Sequence, residues 1–440
     1  MSQVNLERNK YNRGEKWMDT LVFKSKSFII LILAKFISSI GTFIQSMAFA
    51  LYVIDKTQSG LLFASVLMVA LVPRVLLSPF CGVIVDWLNR KRLLVTLDLI
   101  SGGLLVTIAL LIGSGEISMP VIYGIAIALG VMSAFDEPMV MTIIPSIFKE
   151  EKALNAANAV NMIVLALGNL IGPMLGVLIY TNFGIVITLL VNGASFLFAA
   201  LIQTFMRIPT DNVSNEKRTL SKFRTDFAEG VRYIWHDKRM KTILLCIIIQ
   251  NCFFNGATQV GIPFVSRVDL EVSNTQFAFI EVVVIVGAIF GASLSGVLKK
   301  NLTADQLFVR MINIIGVAFL CIGIVAFGVI NNSQISFYLI LALYLVLGIT
   351  SINVTIAFQA ELQKEVDNKL LGRISSIVMA LIMASVPIGQ GLYGWLFDVF
   401  PSEVPFIISA LVILVIAFSY RQVMNKKQYE SEKNTVYPST

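Results

Sequence analysis

Charge is scarce in this chain. Only 14% of its 440 residues are Asp, Glu, Lys or Arg, and 56% are hydrophobic. Soluble domains carry about 25% charged residues, so a water-solvated globule is excluded and hydrocarbon is the implied solvent. Histidine is nearly missing: His236 is the single one, and it lies in a basic polar stretch. The four cysteines, Cys81, Cys246, Cys252 and Cys321, fall in or at the ends of apolar runs without metal-ligand spacing. They read as packing residues, with no disulfide and no metal expected. Paired His-x-x-x-His, His-Glu-x-x-His, Gly-x-Ser-x-Gly and a nucleotide-binding glycine loop are all missing. An embedded enzyme, a cofactor and direct nucleotide drive are therefore not expected.

What the chain does have is long apolar runs, near 28–53, 58–80, 93–113, 119–143, 156–180, 184–206, 241–265, 275–298, 307–330, 335–358, 373–397 and 403–422. Each approaches the roughly 20 residues that a membrane-spanning helix needs. None alternates like a strand, which argues against an outer-membrane barrel. The expected fold is an all-α integral membrane protein of twelve transmembrane helices. Residues 1–27 are polar and basic, and the run that follows is too long for a signal-peptide core, so no cleavable signal is expected.

The net charge of +7 does not point to nucleic acid, because of where it sits. Connections after even-numbered runs hold Arg90, Lys91 and Arg92, then Lys149 and Lys152, a basic stretch from Lys217 to Lys241, Lys299 and Lys300, and Lys364, Lys369 and Arg373. The intervening loops hold little beyond Lys56 and Arg267. By the positive-inside rule both termini are cytoplasmic, and the basic residues touch anionic lipid.

The longest polar stretch, 208–240, divides the chain. The expected organisation is a cytoplasmic segment 1–27, a six-helix bundle 28–207, a cytoplasmic central loop 208–240, a second six-helix bundle 241–422 and a cytoplasmic tail 423–440. Within the loop, Phe223, Phe227, Val231 and Trp235 recur every four residues among basic residues, which predicts a helix lying at the interface. The halves are weakly alike: Gly172-Pro173 in the fifth run answers Pro387-Ile388-Gly389 in the eleventh.

The connection between the second and third runs reads Gly82-x-x-x-Asp86-x-x-x-Arg90-Lys91-Arg92. This resembles the signature loop of the major facilitator superfamily. The resemblance implies two pseudo-symmetric six-helix bundles, alternating access around a central cavity, and a gating contact between Asp86 and a basic residue that opens helix eleven, here Arg373. The fifth run holds Gly168-Asn-Leu-Ile-Gly172-Pro173-Met-Leu-Gly176. Its small-residue stripe suits close helix packing, and it resembles the family's export-type motif. Pro145 to Asn158 and Leu371-Gly372-Arg373-Ile-Ser-Ser376 are similar to the branch of macrolide-efflux and enterobactin-exporter proteins. The fourth helix holds Asp136-Glu137-Pro138 and lacks the arginine of many proton-coupled relatives.

Six ionisable residues lie well inside the runs: Lys35, Arg74, Asp98, Asp136, Glu137 and Glu281. Each costs about 2.5–3.5 kcal/mol to insert. Two bases can neutralise only two of the four acids, so the others face water or carry a proton. Asp136, Glu137 and Glu281 are the candidates for proton coupling. Asp136 and Glu137 are about 100° apart around their helix and cannot share one face. Arg74 and Asp98 are predicted to form a structural ion pair. Lys35, Gln45, Asn251, Asn255, Gln259 and Asn353 are candidate cavity residues, with Phe43, Phe49, Phe253 and Phe254 as an apolar lining. Asp55, Glu361 and Asp398 sit at helix ends, where solvation is expected.

The expected function is proton-coupled efflux of amphipathic small molecules from a bacterial plasma membrane. The partners are small-molecule substrate, protons and lipid bilayer, with no nucleic acid and no nucleotide, and the chain is expected to be a monomer. A siderophore or lysolipid exporter of the same fold is the alternative, disfavoured because four intramembrane acids against two bases suit neutral or cationic cargo. A channel would need a selectivity filter, and no re-entrant segment is visible.

Overall fold

A computed structural model describes residues 22–113, 117–208, 232, 238–330, 332–366 and 368–436. Among these, eleven segments are long and apolar enough to cross a membrane. One of them, Glu151–Gln203, is two helices merged across Gly184, whose φ of 78° and ψ of 179° suit only glycine. Twelve helices result: α1 Lys26–Thr57, α2 Gly60–Trp87, α3 Arg90–Ile112, α4 Met119–Ile147, α5 and α6 on either side of Gly184, α7 Lys238–Gly256 with its continuation to Asp269, α8 Asn274–Asn301, α9 Ala304–Ala326, α10 Ser333–Glu365, α11 Asn368–Val399 and α12 Glu403–Val436. No strand occurs among the described residues. Large apolar side chains such as Leu110, Leu111 and Phe418 point outward, as they do where the solvent is lipid.

Local chemistry sets the helix ends. The Asn89 side chain accepts the Arg92 N–H and starts α3. Ser273 with Gln276, and Thr303 with Gln306, form reciprocal capping boxes at α8 and α9. The predicted interface helix of the 208–240 loop, with His236, lies outside the described residues apart from Arg232 and Lys238, the latter being the first residue of α7.

The chain forms two compact units. One holds the described residues up to Phe49 together with 69–208, and the other holds 50–68 together with everything from 238 onward. In the first, glycines set the closest approaches. A Cβ on Gly176 of α5 would lie 2.6 Å from the Ile44 carbonyl oxygen of α1, and one on Gly102 of α3 would lie 2.7 Å from Leu197 of α6. One on Gly130 of α4 would press on the Ala70 carbonyl of α2. In the second unit, Gly389 of α11 presses on Cys252 of α7, Gly348 of α10 on Val284 of α8, and Gly316 of α9 on Leu414 of α12. The pairings α1·α5, α2·α4 and α3·α6 thus recur as α7·α11, α8·α10 and α9·α12. This is an internal six-helix repeat written in backbone contacts rather than in sequence identity.

Candidate functional site

Helix α4 is not continuous. Pro138 has no N–H to give the carbonyl four residues back, and its ring crowds that turn. The helix stops at Ser133, turns through Ala134 and Phe135, and restarts at Asp136. Asp136 and Glu137 therefore occupy the first turn of a new helix inside a membrane-spanning segment, where the backbone dipole favours negative charge.

Cations from two neighbouring helices reach this break. The Lys35 Nζ of α1 lies 3.3 Å from the Glu137 Oε2. The Lys35 side chain is 9% exposed and that of Glu137 is 36% exposed, so the pair spans from buried to open ground. Arg74 of α2 and Lys35 both lie within electrostatic reach of Asp136, as does Glu137. Asp98 of α3 is also within reach of Asp136. Among the described residues, the cluster thus sets two cations, Lys35 and Arg74, against three carboxyls, Asp98, Asp136 and Glu137.

The predicted Arg74–Asp98 ion pair is not formed. Asp98 is buried, and its Oδ2 instead accepts the Gln203 Nε2 of α6 at 2.8 Å. The physical reason is that α3 packs on α6 and α2 packs on α4, so Arg74 lies within electrostatic reach of Asp136 while Asp98 meets an amide. Gln203 escaped the sequence reading because it is neutral and sits at the end of its run.

The candidate cavity residues separate into two groups. Gln45 is buried and accepts a hydrogen bond from the Asn192 Nδ2 of α6. Asn353 is fully buried and donates to the Gly291 carbonyl of α8 at 3.0 Å and to the Ile349 carbonyl at 2.8 Å. Both join helices and do not line an open surface, which corrects the expectation for them. Phe49 is buried, and Phe43 packs under Gly172 of α5. Replacing Asn353 with leucine is expected to lower thermal stability by about 0.6–1.7 kcal/mol, the range of interhelical hydrogen bonds in membranes, and to leave substrate affinity unchanged. Scanning fluorimetry with a binding assay on the purified variant checks both.

Asn251, Asn255 and Gln259 form one line along α7. The Asn255 Nδ2 donates to the Asn251 Oδ1 at 2.7 Å, and the Gln259 Nε2 donates to the Asn255 Oδ1 at 2.7 Å. Gln390 of α11, which the sequence reading missed, adds the next bond: its Nε2 donates to the Gln259 Oε1 at 2.7 Å. Asn251 and Asn255 are half-buried and Gln259 is exposed, so this amide line borders open space. Gln259 lies in a π-helical turn, Ala257–Gly261. Such turns free backbone carbonyls and gather at functional sites, and here the Thr258 carbonyl accepts the Tyr344 hydroxyl at 3.3 Å. Phe253 and Phe254 flank the line, Phe253 meeting Tyr393 edge to face and Phe254 meeting Phe319 at a tilt.

At the second-to-third connection, Gly82 opens onto Pro138 with room to spare, 3.9 Å from an added Cβ. The Lys91 Nζ donates to the Thr204 carbonyl at the end of α6, 2.6 Å away, and Arg90 is the first residue of α3. The side chains of Asp86, Arg373 and Glu281 lie outside the described set. In the α5 motif, Gly168, Gly172 and Gly176 all face α1, meeting Ser39, Phe43 and Ile44 in turn, and Pro173 lies within the helix.

The Major Facilitator Superfamily model matches residues 31–383, most of the chain, and the protein belongs to that family. It is a multi-pass membrane transporter and not an enzyme. It is 24% identical over 412 residues to an uncharacterized MFS-type transporter, YkuC, of Bacillus subtilis, covering 91% of this chain and 93% of that one. It is 22% identical to the multidrug efflux pump Tap of Mycolicibacterium fortuitum, covering 89% and 94%. It is 20% identical to macrolide efflux protein A of Streptococcus pyogenes, covering 87% and 92%. Among solved structures, the nucleoside transporter NupG matches with a TM-score of 0.66 at 12% identity over 90% of this chain and 99% of that one. A bacterial homologue of the iron transporter ferroportin, in an inward-facing state, matches with 0.66 at 16% over 89% and 98%. These structures share the fold.

Proposed function

We propose that the protein is a proton-coupled exporter of amphipathic small molecules that works by alternating access in a bacterial plasma membrane, with both termini cytoplasmic. The observation that carries the coupling is the charge count at the α4 break. Among the described residues, Lys35 and Arg74 can match two of the three carboxyls, and Asp98 takes its hydrogen bond from a neutral amide. One carboxyl is left over, and a proton is the smallest ligand that balances it. Asp136 and Glu137 are the coupling groups in this reading, with Glu281 as a further proposed one. The efflux direction rests on the α5 stripe and on relatives named as efflux pumps. The amide line with Phe253 and Phe254 offers hydrogen bonds beside aromatic faces, which suits an uncharged polar edge on an apolar body. The gating role of Asp86 and Arg373 remains part of the proposal.

Proteoliposomes loaded with a macrolide or a lipophilic cationic dye provide the test. An imposed proton gradient is expected to drive saturable flux. Asp136→Asn is expected to cut gradient-driven flux at least tenfold while leaving gradient-free substrate exchange within about twofold, since each factor of ten is about 1.4 kcal/mol. Equal loss of both modes would show that Asp136 is structural. Flux that is indifferent to the gradient in the unaltered protein would remove proton coupling.

A further inference from the structure

Asp398 ends α11, and neither the charged cluster nor the amide line uses it. Its solvated, helix-end position hides three specific bonds. The Oδ1 accepts the Gly60 N–H at 2.7 Å and the Leu61 N–H at 3.3 Å, and the Oδ2 accepts the Ser59 hydroxyl at 2.8 Å. The first N–H groups of α2 have no helical partner of their own, so a side chain more than 300 residues away in sequence supplies it. Ser59 in turn accepts the Leu62 N–H at 3.1 Å. The two helices are close enough for the carboxylate to reach: a Cβ on Gly60 would lie 2.9 Å from the Phe397 Cβ, and one on Gly394 would lie 2.6 Å from the Ala64 Cβ.

The placement of this contact gives it a mechanical consequence. Residues 50–68, the tip joining α1 to α2, group with the second unit, while both helices continue into the first. The tip is at the end of the helices opposite the basic loops, with Lys56 its only cation. Asp398 itself is exposed and Ser59 is half-buried, so water can take over these hydrogen bonds when they break. A tie of this kind holds one conformation without making it permanent.

We propose that Asp398 is a positioning residue of the transport cycle: a releasable latch that holds the α1–α2 tip on α11 in the conformation described and lets go of Ser59, Gly60 and Leu61 when the alternate conformation forms. The proposal rests on the alternating-access reading, and the test separates the two.

Nitroxide labels at Gln58→Cys and Phe400→Cys, in a background with the four native cysteines replaced and in lipid vesicles, report the tip-to-α11 distance by electron–electron double resonance. A second pair, Ile314→Cys and Leu411→Cys on α9 and α12, reports the integrity of the second unit. In the parent background a short tip distance is expected to dominate, with a longer one rising when a proton gradient or a macrolide is added. Asp398→Ala is expected to raise the long-to-short ratio at least fivefold without moving the α9–α12 distance. Asp398→Asn, which keeps an oxygen acceptor and loses the charge, should fall between, and Ser59→Ala should shift the ratio less in the same direction. A parent that switches while Asp398→Ala leaves the ratio unchanged overturns the latch and spares alternating access. A parent with one distance under every condition overturns both. Should Asp398→Ala disturb the α9–α12 pair, Asp398→Asn and Ser59→Ala decide: an unchanged tip ratio in both overturns the latch.

Discussion

Lys35→Met, made alone, is expected to reduce proton-gradient-driven flux at least tenfold and to lower folded yield several-fold. The lysine is buried against Glu137 at 3.3 Å, and its removal leaves Arg74, among the described residues, as the remaining cation within electrostatic reach of Asp136. Removing one member of a fully buried pair costs about 3–5 kcal/mol. Glu137 is one-third exposed, so solvent screening brings the expected cost down to about 1–3 kcal/mol. The double variant Lys35→Met with Glu137→Gln removes both charges together. It is expected to regain yield and thermal stability but not coupled flux, because the coupling carboxyl is gone. Size-exclusion yield and vesicle flux, measured on the two singles and the double, separate the structural part of this pair from the coupling part. Additive losses in the double would show that the two side chains act independently.

The second large effect is at Gly176. Its missing side chain lets α5 lie on α1 with an Ile44 carbonyl where a Cβ would be, at 2.6 Å, and with the Ile44 Cα and Met47 Cβ at 3.0 and 3.1 Å. Two of these three atoms belong to rigid helix backbone and cannot rotate away. Gly176→Leu is therefore expected to cost 3 kcal/mol or more, above the usual range of about 1–3 for overpacking a site that can adjust, and to leave little folded protein. Gly168→Ala makes the opposite prediction. The nearest atom there is a Ser39 Cβ at 3.3 Å, which asks for a shift of a few tenths of an ångström. Replacing a mid-helix glycine by alanine gains about 0.5–1 kcal/mol in backbone entropy. Yield and melting temperature of this variant are expected to match or slightly exceed the parent. Equal sensitivity at the two positions would show that the stripe does not act through close packing.

The number of helices was legible because hydrocarbon demands long apolar runs. Several ends run past those runs, as at Trp87 and Glu365, and the starts of α3, α8 and α9 are set by Asn89, Ser273 and Thr303, which an apolar run does not reveal. The α5 stripe was legible because a smooth helix face is written as glycines four apart. The facing of individual polar residues was not. In a soluble helix the apolar stripe reveals the inward side, but in lipid both the outward and the packed faces are apolar, so the stripe disappears. Gln45, Asn353 and Gln259 look alike in sequence. The structure buries the first two between helices and leaves the third open. Asp98 fails in another way. Its charge suggests a charged partner, and nothing local reveals that α3 lies on α6, where Gln203 waits. The break in α4 was written in Pro138, but its effect on Asp136 and Glu137, which places both in the first turn of a new helix, appears only once the turn at Ala134 and Phe135 is seen.

Proton release on substrate binding tests the coupling account most directly. Titrating the detergent-solubilised protein with a macrolide, by calorimetry in two buffers of different ionisation enthalpy, counts the protons exchanged per ligand bound. A release of about one proton in the parent, abolished in Asp136→Asn or Glu137→Gln with binding intact, is the predicted result. Saturable binding with no proton exchanged in the parent, or an unchanged release in both variants, would contradict it.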